Sequence, residues 1–256
     1  MIPVSPRAIV DYYLMLAPHV LLAGVPILLW RKMLYRQFPL FFVYIADELA
    51  QFVVFIVLVM TPSVTGRQYG VAYGIGLAIS TVLRFGVIHE IFGHAFKNYD
   101  GISRFSGPAF RWGTVGALAA GIVLALYTGG NQFNRFMLVV NLLDRAASIA
   151  QCGLLLGLFL FAAYVGLSLR SNVFGIALGL GIYSAVTLAA AAIRTQFGYV
   201  GITALNYITM ATYHVSVVIW LVYLWAPEHS TQYAAKTVPE HDLEAWNKEL
   251  QRLIQQ

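Results

Sequence analysis

Charge is what this chain has least of. Only 11% of its 256 residues are Asp, Glu, Lys or Arg, against about 25% in an ordinary soluble domain. Hydrophobic residues make up 59% and mean hydropathy is +0.72, so a water-soluble globule is excluded. Cysteine is nearly absent. Cys152 stands alone in an apolar run, which rules out an intrachain disulfide and a thiolate metal cluster. The four lysines, Lys32, Lys97, Lys236 and Lys248, all fall outside the apolar stretches. No span therefore offers an amine for a retinal Schiff base, and a rhodopsin is excluded. There is no P-loop and no dinucleotide fingerprint, and no Ser-His-Asp set can be assigned.

What fills the chain instead is a succession of apolar runs of about 20 residues, each long enough to cross a hydrocarbon core of about 30 Å as a helix. Seven are expected, over about 8–30, 38–61, 70–96, 112–128, 146–169, 173–194 and 202–225. The first is read as a retained span and not as a cleavable signal, because only Arg7 precedes it and Arg31-Lys32 closes it. The expected fold is all-α, a polytopic seven-transmembrane helix bundle over 1–226 with a cytoplasmic tail over 227–256. The net charge of +5 belongs to loops that flank spans and does not mark a nucleic-acid partner. Arg31, Lys32, Arg36, Lys97, Arg104, Arg111 and Arg170 follow the first, third and fifth spans. Arg67 and Arg135 follow the second and fourth, with Arg194 at the end of the sixth. Positive-inside then puts the N-terminus outside and the C-terminus in the cytoplasm, and Trp30, Trp112 and Trp225 fall beside cytoplasmic boundaries.

Three segments outside or along the spans invite a role. Residues 131–145 either extend the fifth span beyond the membrane, lie in its surface, or cover an outward-facing pocket. In the tail, Pro239 opens a helical pattern that puts Leu243, Trp246, Leu250, Leu253 and Ile254 on one stripe, suited to a protein partner or to the bundle's own cytoplasmic face. Gly153-x-x-x-Gly157 and Gly175-x-x-x-Gly179 allow close helix approach, within one bundle or between copies in a homo-oligomer.

Ionisable groups in hydrocarbon are costly and face the bundle interior, so each is a candidate site residue. Counted from the cytoplasmic anchors, Asp47 lies about 16 Å deep, His19 about 18 Å, Arg84 about 20 Å and His214 about 16 Å. Four spans thus place such a group near the midplane. Arg84 is expected to pair with Asp47 or Glu48 across an antiparallel hairpin. Adjacent helical positions diverge by about 100°, so one carboxyl is left to be protonated, to bond His19, His214 or Tyr213, or to meet a ligand. The ligand or proton site proposed from sequence is Asp47, Glu48, Arg84, His19, His214 and Tyr213.

His89-Glu90-Ile91-Phe92-Gly93-His94 is not a zincin motif, because its histidines stand at i and i+5 and not on one face. Glu90 and His94 are the true i,i+4 pair, read as an interfacial hydrogen-bonded pair or, with His89, as a weak metal or proton-entry candidate. Asp144 and Arg145, about 37 Å from Arg170 by helical rise, are expected in the outer interface.

The segments FPLFFVYIADE, IHEIFGHAF, QCGLLLGLFLF and GLSLRSNVFGIALG resemble those of uncharacterised bacterial seven-helix integral membrane proteins. The resemblance covers most of the second to sixth spans and implies the seven-helix bundle, with no activity or site residue attached to it. Three function classes follow. The first is a non-enzymatic sensor or interaction protein of the bacterial cytoplasmic membrane, with a ligand- or proton-responsive midplane and a docking tail. The second is a proton-coupled transporter or ion pathway using Asp47 or Glu48. The third is a redox subunit holding a haem between His19 and His214. An intramembrane enzyme built mostly on His89, Glu90 and His94 is a reading of similar small weight.

Overall fold

A proline with no N–H cannot close the helical bond to the residue four before it, and its ring pushes that carbonyl aside. Pro26 does this to Leu22. In the computed structural model, which describes residues 6–95, 132–165, 171–197 and 202–227, the first span is accordingly two helices, α1 (Pro6–Leu22) and α2 (Gly24–Arg31). Met33, at φ 57°, ends α2 and leads through a 3-10 turn over Leu34–Arg36. The remaining helices are α3 (Pro39–Met60), α4 (Gly66–Ala95), α5 (Gln132–Val165), α6 (Asn172–Phe197) and α7 (Ile202–Trp225). All regular structure among the described residues is helical. Six segments there are long and apolar enough to cross a membrane, counting α1 and α2 together as Val10–Arg31. The span expected at 112–128 and the tail stripe of Leu243, Trp246, Leu250, Leu253 and Ile254 lie outside the described residues.

Cross-helix pairs fix the direction of every neighbour. The helices α3 and α4 are antiparallel, with Leu40 beside Glu90 and Phe55 beside Tyr69. The helices α4 and α5 are parallel: Phe133 packs on Gly70, and Asp144 meets Arg84. Antiparallel packing returns for α5 and α6 through Phe159–Phe174 and Cys152–Gly181, and for α6 and α7 through Tyr183–Tyr213 and Trp220–Ile176. The α1/α2 pair runs parallel to α7, joined by Asp11–Tyr207 at one end and by Lys32 at the other. Lys32 Nζ donates to the Trp225 and Ala226 carbonyls at 2.8 and 3.1 Å, satisfying acceptors that a helix C-terminus leaves open. His19 stacked on Phe52 brings α1 against α3, so the helices close a ring in the order α1/α2, α3, α4, α5, α6, α7, with α4 also touching α6 across it.

The ring has two unlike ends. At the Pro39 end the interior is filled by apolar side chains, among them Phe41, Ile45, Ile88, Ile91 and Trp220. Trp220 is 2% exposed and meets Phe41 edge-on at 5.4 Å. The outward faces carry large apolar residues as well: Val20 is 71% and Leu160 72% exposed. That exposure is tolerable in lipid and not in water.

One contact at the Pro39 end explains a residue that the sequence left ambiguous. The first turn of α3 offers unpaired N–H groups, and Phe38 before it supplies no side-chain cap. Glu90 of α4 does so from the neighbouring helix, its two carboxylate oxygens accepting from Leu40 N and Phe41 N, each at 3.0 Å. A carboxylate at a helix N-terminus is favoured by the dipole as well as by the hydrogen bonds.

The glycine pairs divide. Gly175 and Gly179 are backed by Tyr223 and Trp220 of α7, whereas an added Cβ at Gly153 or Gly157 meets nothing within 4 Å among the described residues. The former are needed inside the bundle and the latter face outward.

Candidate functional site

Where the Pro39 end is packed, the Met60 end encloses a cavity of about 950 Å³. Every helix except α2 contributes to its wall. Tyr12, Met60, Tyr69 and Arg194 stand near its mouth, and Tyr44, Glu48, Ser80 and Arg84 line its inner part. Of the six residues expected from sequence, His19, Glu48, Arg84 and Tyr213 line it; Asp47 and His214 do not.

The two adjacent acids differ because their positions diverge on α3. Asp47 turns toward α4 and is held there: Gln51 Nε2, one turn on, donates to its Oδ2 at 2.6 Å. The same amide nitrogen reaches Ser80 Oγ at 2.8 Å and the Gly76 carbonyl at 3.1 Å. Gly76 makes room for this, since a Cβ there would collide with the Gln51 amide. Ser80 Oγ lies 3.2 Å from Asp47 Oδ2 and 3.0 Å from Glu48 Oε1. A hydroxyl has one proton to donate, so with Gln51 already serving Asp47, the Ser80 proton goes to Glu48. Glu48 faces the cavity and Asp47 stands behind it.

Arg84 does not pair with Asp47 or Glu48 as the hairpin argument expected. Its Nη2 forms an ion pair with Asp144 of α5, with Thr81 Oγ1 at 3.4 Å and Ser148 Oγ at 3.5 Å as further partners. The interfacial placement of Asp144 is corrected with it. The helix α5 has 34 residues and spans about 51 Å, more than a membrane core, so its packing on α4 decides which part lies at the depth of Arg84. Residues 132–145 are the first turns of α5, packed on Gly70 and Gly74 of α4 through Phe133, Phe136 and Met137. They form a wall of the cavity through Asn141, Asp144 and Arg145, and not a separate lid.

The histidines part company. His19 stacks on Phe52 at 3.9 Å and 11° and lies 5.6 Å from the Tyr213 ring, which meets Tyr183 at 5.5 Å. Its Nδ1 is 2.8 Å from the Met15 carbonyl. A carbonyl only accepts, so Nδ1 carries the proton and Nε2 of the neutral ring is an acceptor. His214, one residue beyond Tyr213, turns away to the Tyr13 ring at 5.7 Å. The helix α1 packs on α7, with Tyr207 hydrogen-bonded to Asp11 at 2.6 Å. His19 lines the cavity and His214 does not, so the two histidines expected to share a ligand are not on one wall of it. The buried Tyr213 hydroxyl and His214 Nδ1 have no hydrogen-bond partner among the described residues.

Glu90 and His94 belong to the packed end, far from the cavity. Glu90 caps α3, and His94 Nδ1 bonds the Glu90 carbonyl at 2.9 Å while its ring lies against Phe38. Among the described residues no three His, Cys, Asp or Glu side chains converge as a metal site, His89, Glu90 and His94 included.

Sequence reading missed Gln51, Ser80, Tyr44, Tyr183 and Asp144. Gln51 and Ser80 had a signal: amide and hydroxyl groups one turn from Asp47 and one turn from Arg84 on facing helices. Tyr44 and Tyr183 had none, because a tyrosine in an apolar run looks the same on an inner wall and on a lipid-facing one. No protein family, curated protein or solved structure matches the chain.

Proposed function

We propose that this is a seven-span membrane protein of the sensor or interaction type, which takes a small ligand into its bundle from the extracytoplasmic side. The observation that carries the reading is the asymmetry of the interior. A cavity of about 950 Å³ reaches inward to Glu48 and Arg84, while the other half is packed around Phe41 and Trp220. A pocket of that size suits a drug-sized ligand. A transport pathway needs a continuous polar route past that packed half, whose centre is filled by Phe41, Ile45, Ile88, Ile91 and Trp220.

Direction and span count follow from the helix ends. Arg31, Lys32 and Arg36 lie at the packed end, and Lys97 follows α4 there in the chain, which under positive-inside makes that end cytoplasmic. The parallel course of α4 and α5 supports an odd total of seven, because consecutive spans joined on one side of a membrane run antiparallel. On this topology the tail with Leu243, Trp246, Leu250 and Leu253 is on the cytoplasmic side, available to a protein partner, and the resemblance to bacterial proteins points to the cytoplasmic membrane of a bacterium.

One-sided access is the test. In a Cys152→Ala background, Ala191→Cys in the cavity wall should react with a membrane-impermeant thiol reagent from the extracytoplasmic side only. Ile45→Cys, in the packed half, should react from neither side. Reaction of Ile45→Cys from the cytoplasm, or proton flux through the protein in sealed vesicles, would favour a pathway over a receptor.

A further inference from the structure

We infer that the ligand of this cavity is a small organic ammonium compound, its nitrogen seated against the Glu48 carboxylate among Tyr44, Phe52, Tyr183 and Tyr213. The inference rests on the reading of the cavity as a ligand site and names the class of ligand.

The charges come first. Asp47 and Glu48 of α3 and Asp144 of α5 are the carboxylates of this region, and what separates them is the partner that each already has. Arg84 is bound to Asp144 and braced by Thr81 and Ser148. Asp47 is held by Gln51. Of the two acids that line the cavity, Glu48 and Asp144, Glu48 accepts from the Ser80 hydroxyl and lacks an ion pair among the described residues. A buried carboxylate without a counter-ion is costly, and a ligand cation supplies one.

The wall chemistry agrees. Aromatic rings attract cations through their faces, and cages of them hold ammonium groups. Tyr44 stands one turn before Glu48 on the same helix. Phe52 carries His19 stacked on it, and Tyr213 links His19 to Tyr183. His19 adds an acceptor at Nε2, since Nδ1 is tied to Met15. The buried Tyr213 hydroxyl, without a partner among the described residues, gives an independent sign of an unfilled site, and as a donor it suits an oxygen on the same molecule. Arg145 and Arg194 also line the cavity, Arg194 near its mouth and bonded to Asn206 at 2.7 Å. They favour a neutral or anionic remainder of the ligand pointing outward.

The test uses the full-length protein in lipid nanodiscs and four probes of matched size: n-butylammonium, tetramethylammonium, butyrate and n-butanol. Saturation-transfer NMR titrations should show saturable binding of the two cations and little of butyrate or butanol. Glu48→Gln, which keeps the shape, should weaken butylammonium about tenfold or more, as expected when a charge-assisted hydrogen bond is lost. Phe52→Leu should weaken tetramethylammonium severalfold. Butyrate binding as well as butylammonium, or cation binding indifferent to Glu48→Gln, overturns the ammonium assignment and leaves the ligand cavity standing. Binding of none of the four overturns both. Should Glu48→Gln fail to fold, competition between butylammonium and butyrate on the native protein decides the question.

Discussion

The Arg84–Asp144 pair makes a quantitative prediction because its two members are unequally buried. The Arg84 side chain is 7% exposed and that of Asp144 30%. Removing one member of a fully buried pair costs about 3–5 kcal/mol, chiefly because the other charge is stranded. Asp144→Leu strands the guanidinium, which has almost no water to fall back on, and should cost about 3–5 kcal/mol. Arg84→Leu strands a carboxylate that water partly screens, and should cost less, about 2 kcal/mol. The double variant replaces the pair by apolar side chains and should cost about 1–2 kcal/mol, giving a coupling energy of about 3–6 kcal/mol. Equilibrium unfolding in mixed micelles, followed by far-ultraviolet circular dichroism, measures all four corners of the cycle. Additive losses within about 0.5 kcal/mol, or a coupling just as large between Arg84 and Asp47, would refute the assignment of Asp144 as the partner.

Three further outcomes follow from single contacts. Glu90→Leu should cost about 1–3 kcal/mol by leaving the α3 first-turn donors unpaired, and faster hydrogen exchange confined to the Leu40 and Phe41 amides would identify the lost cap. Gly179→Leu should prevent stable packing of α6 on α7, because the Trp220 ring occupies that space, whereas Gly157→Leu should leave monomer unfolding within about 0.5 kcal/mol of native; crosslinking of the native protein and of Gly157→Leu shows whether that outward face joins two copies. Lys32→Met should speed exchange at the C-terminal end of α7, whose Trp225 and Ala226 carbonyls it caps, and unchanged exchange there would reduce Lys32 to a topological charge.

The spans were legible because apolar length is set by the bilayer, and helix ends near 38–61, 173–194 and 202–225 differ from Pro39–Met60, Asn172–Phe197 and Ile202–Trp225 by at most a few residues. Two features escaped that logic. The break at Ala23 is written in Pro26, but hydropathy does not register a missing donor. The first fourteen residues of α5 were set apart from its span because Arg135, Asn141, Asp144 and Arg145 lower hydropathy there. Hydropathy averages around the helix, whereas cost depends on the face, and a charge that meets a partner inside the ring does not end a span.

The site was half legible for the same reason. Depth counting covers His19, Asp47, Arg84 and His214; His19 and Arg84 line the cavity, and in place of the other two their chain neighbours Glu48 and Tyr213 do. It could not say which walls face each other, so it coupled Arg84 to the acids on the helix next in sequence. The choice between α3 and α5 turns on a rotation of α4 about its own axis. Gly70 and Gly74 admit Phe133, Phe136 and Met137 on one side of that helix, and Gly76 admits the Gln51 amide on another. Arg84 stands fourteen positions past Gly70, about 40° from it around a helix of 3.6 residues per turn, on the side of α5, and Ser80 lies one turn from Gly76, on the side of α3. The small residues of α4 therefore assign its polar ones: glycine marks where a neighbour presses in, and Arg84 and Ser80 follow the neighbour that their own face admits. That division leaves Asp47 held by hydrogen bonds and Asp144 by an ion pair, with Glu48 facing the cavity without a counter-ion among the described residues.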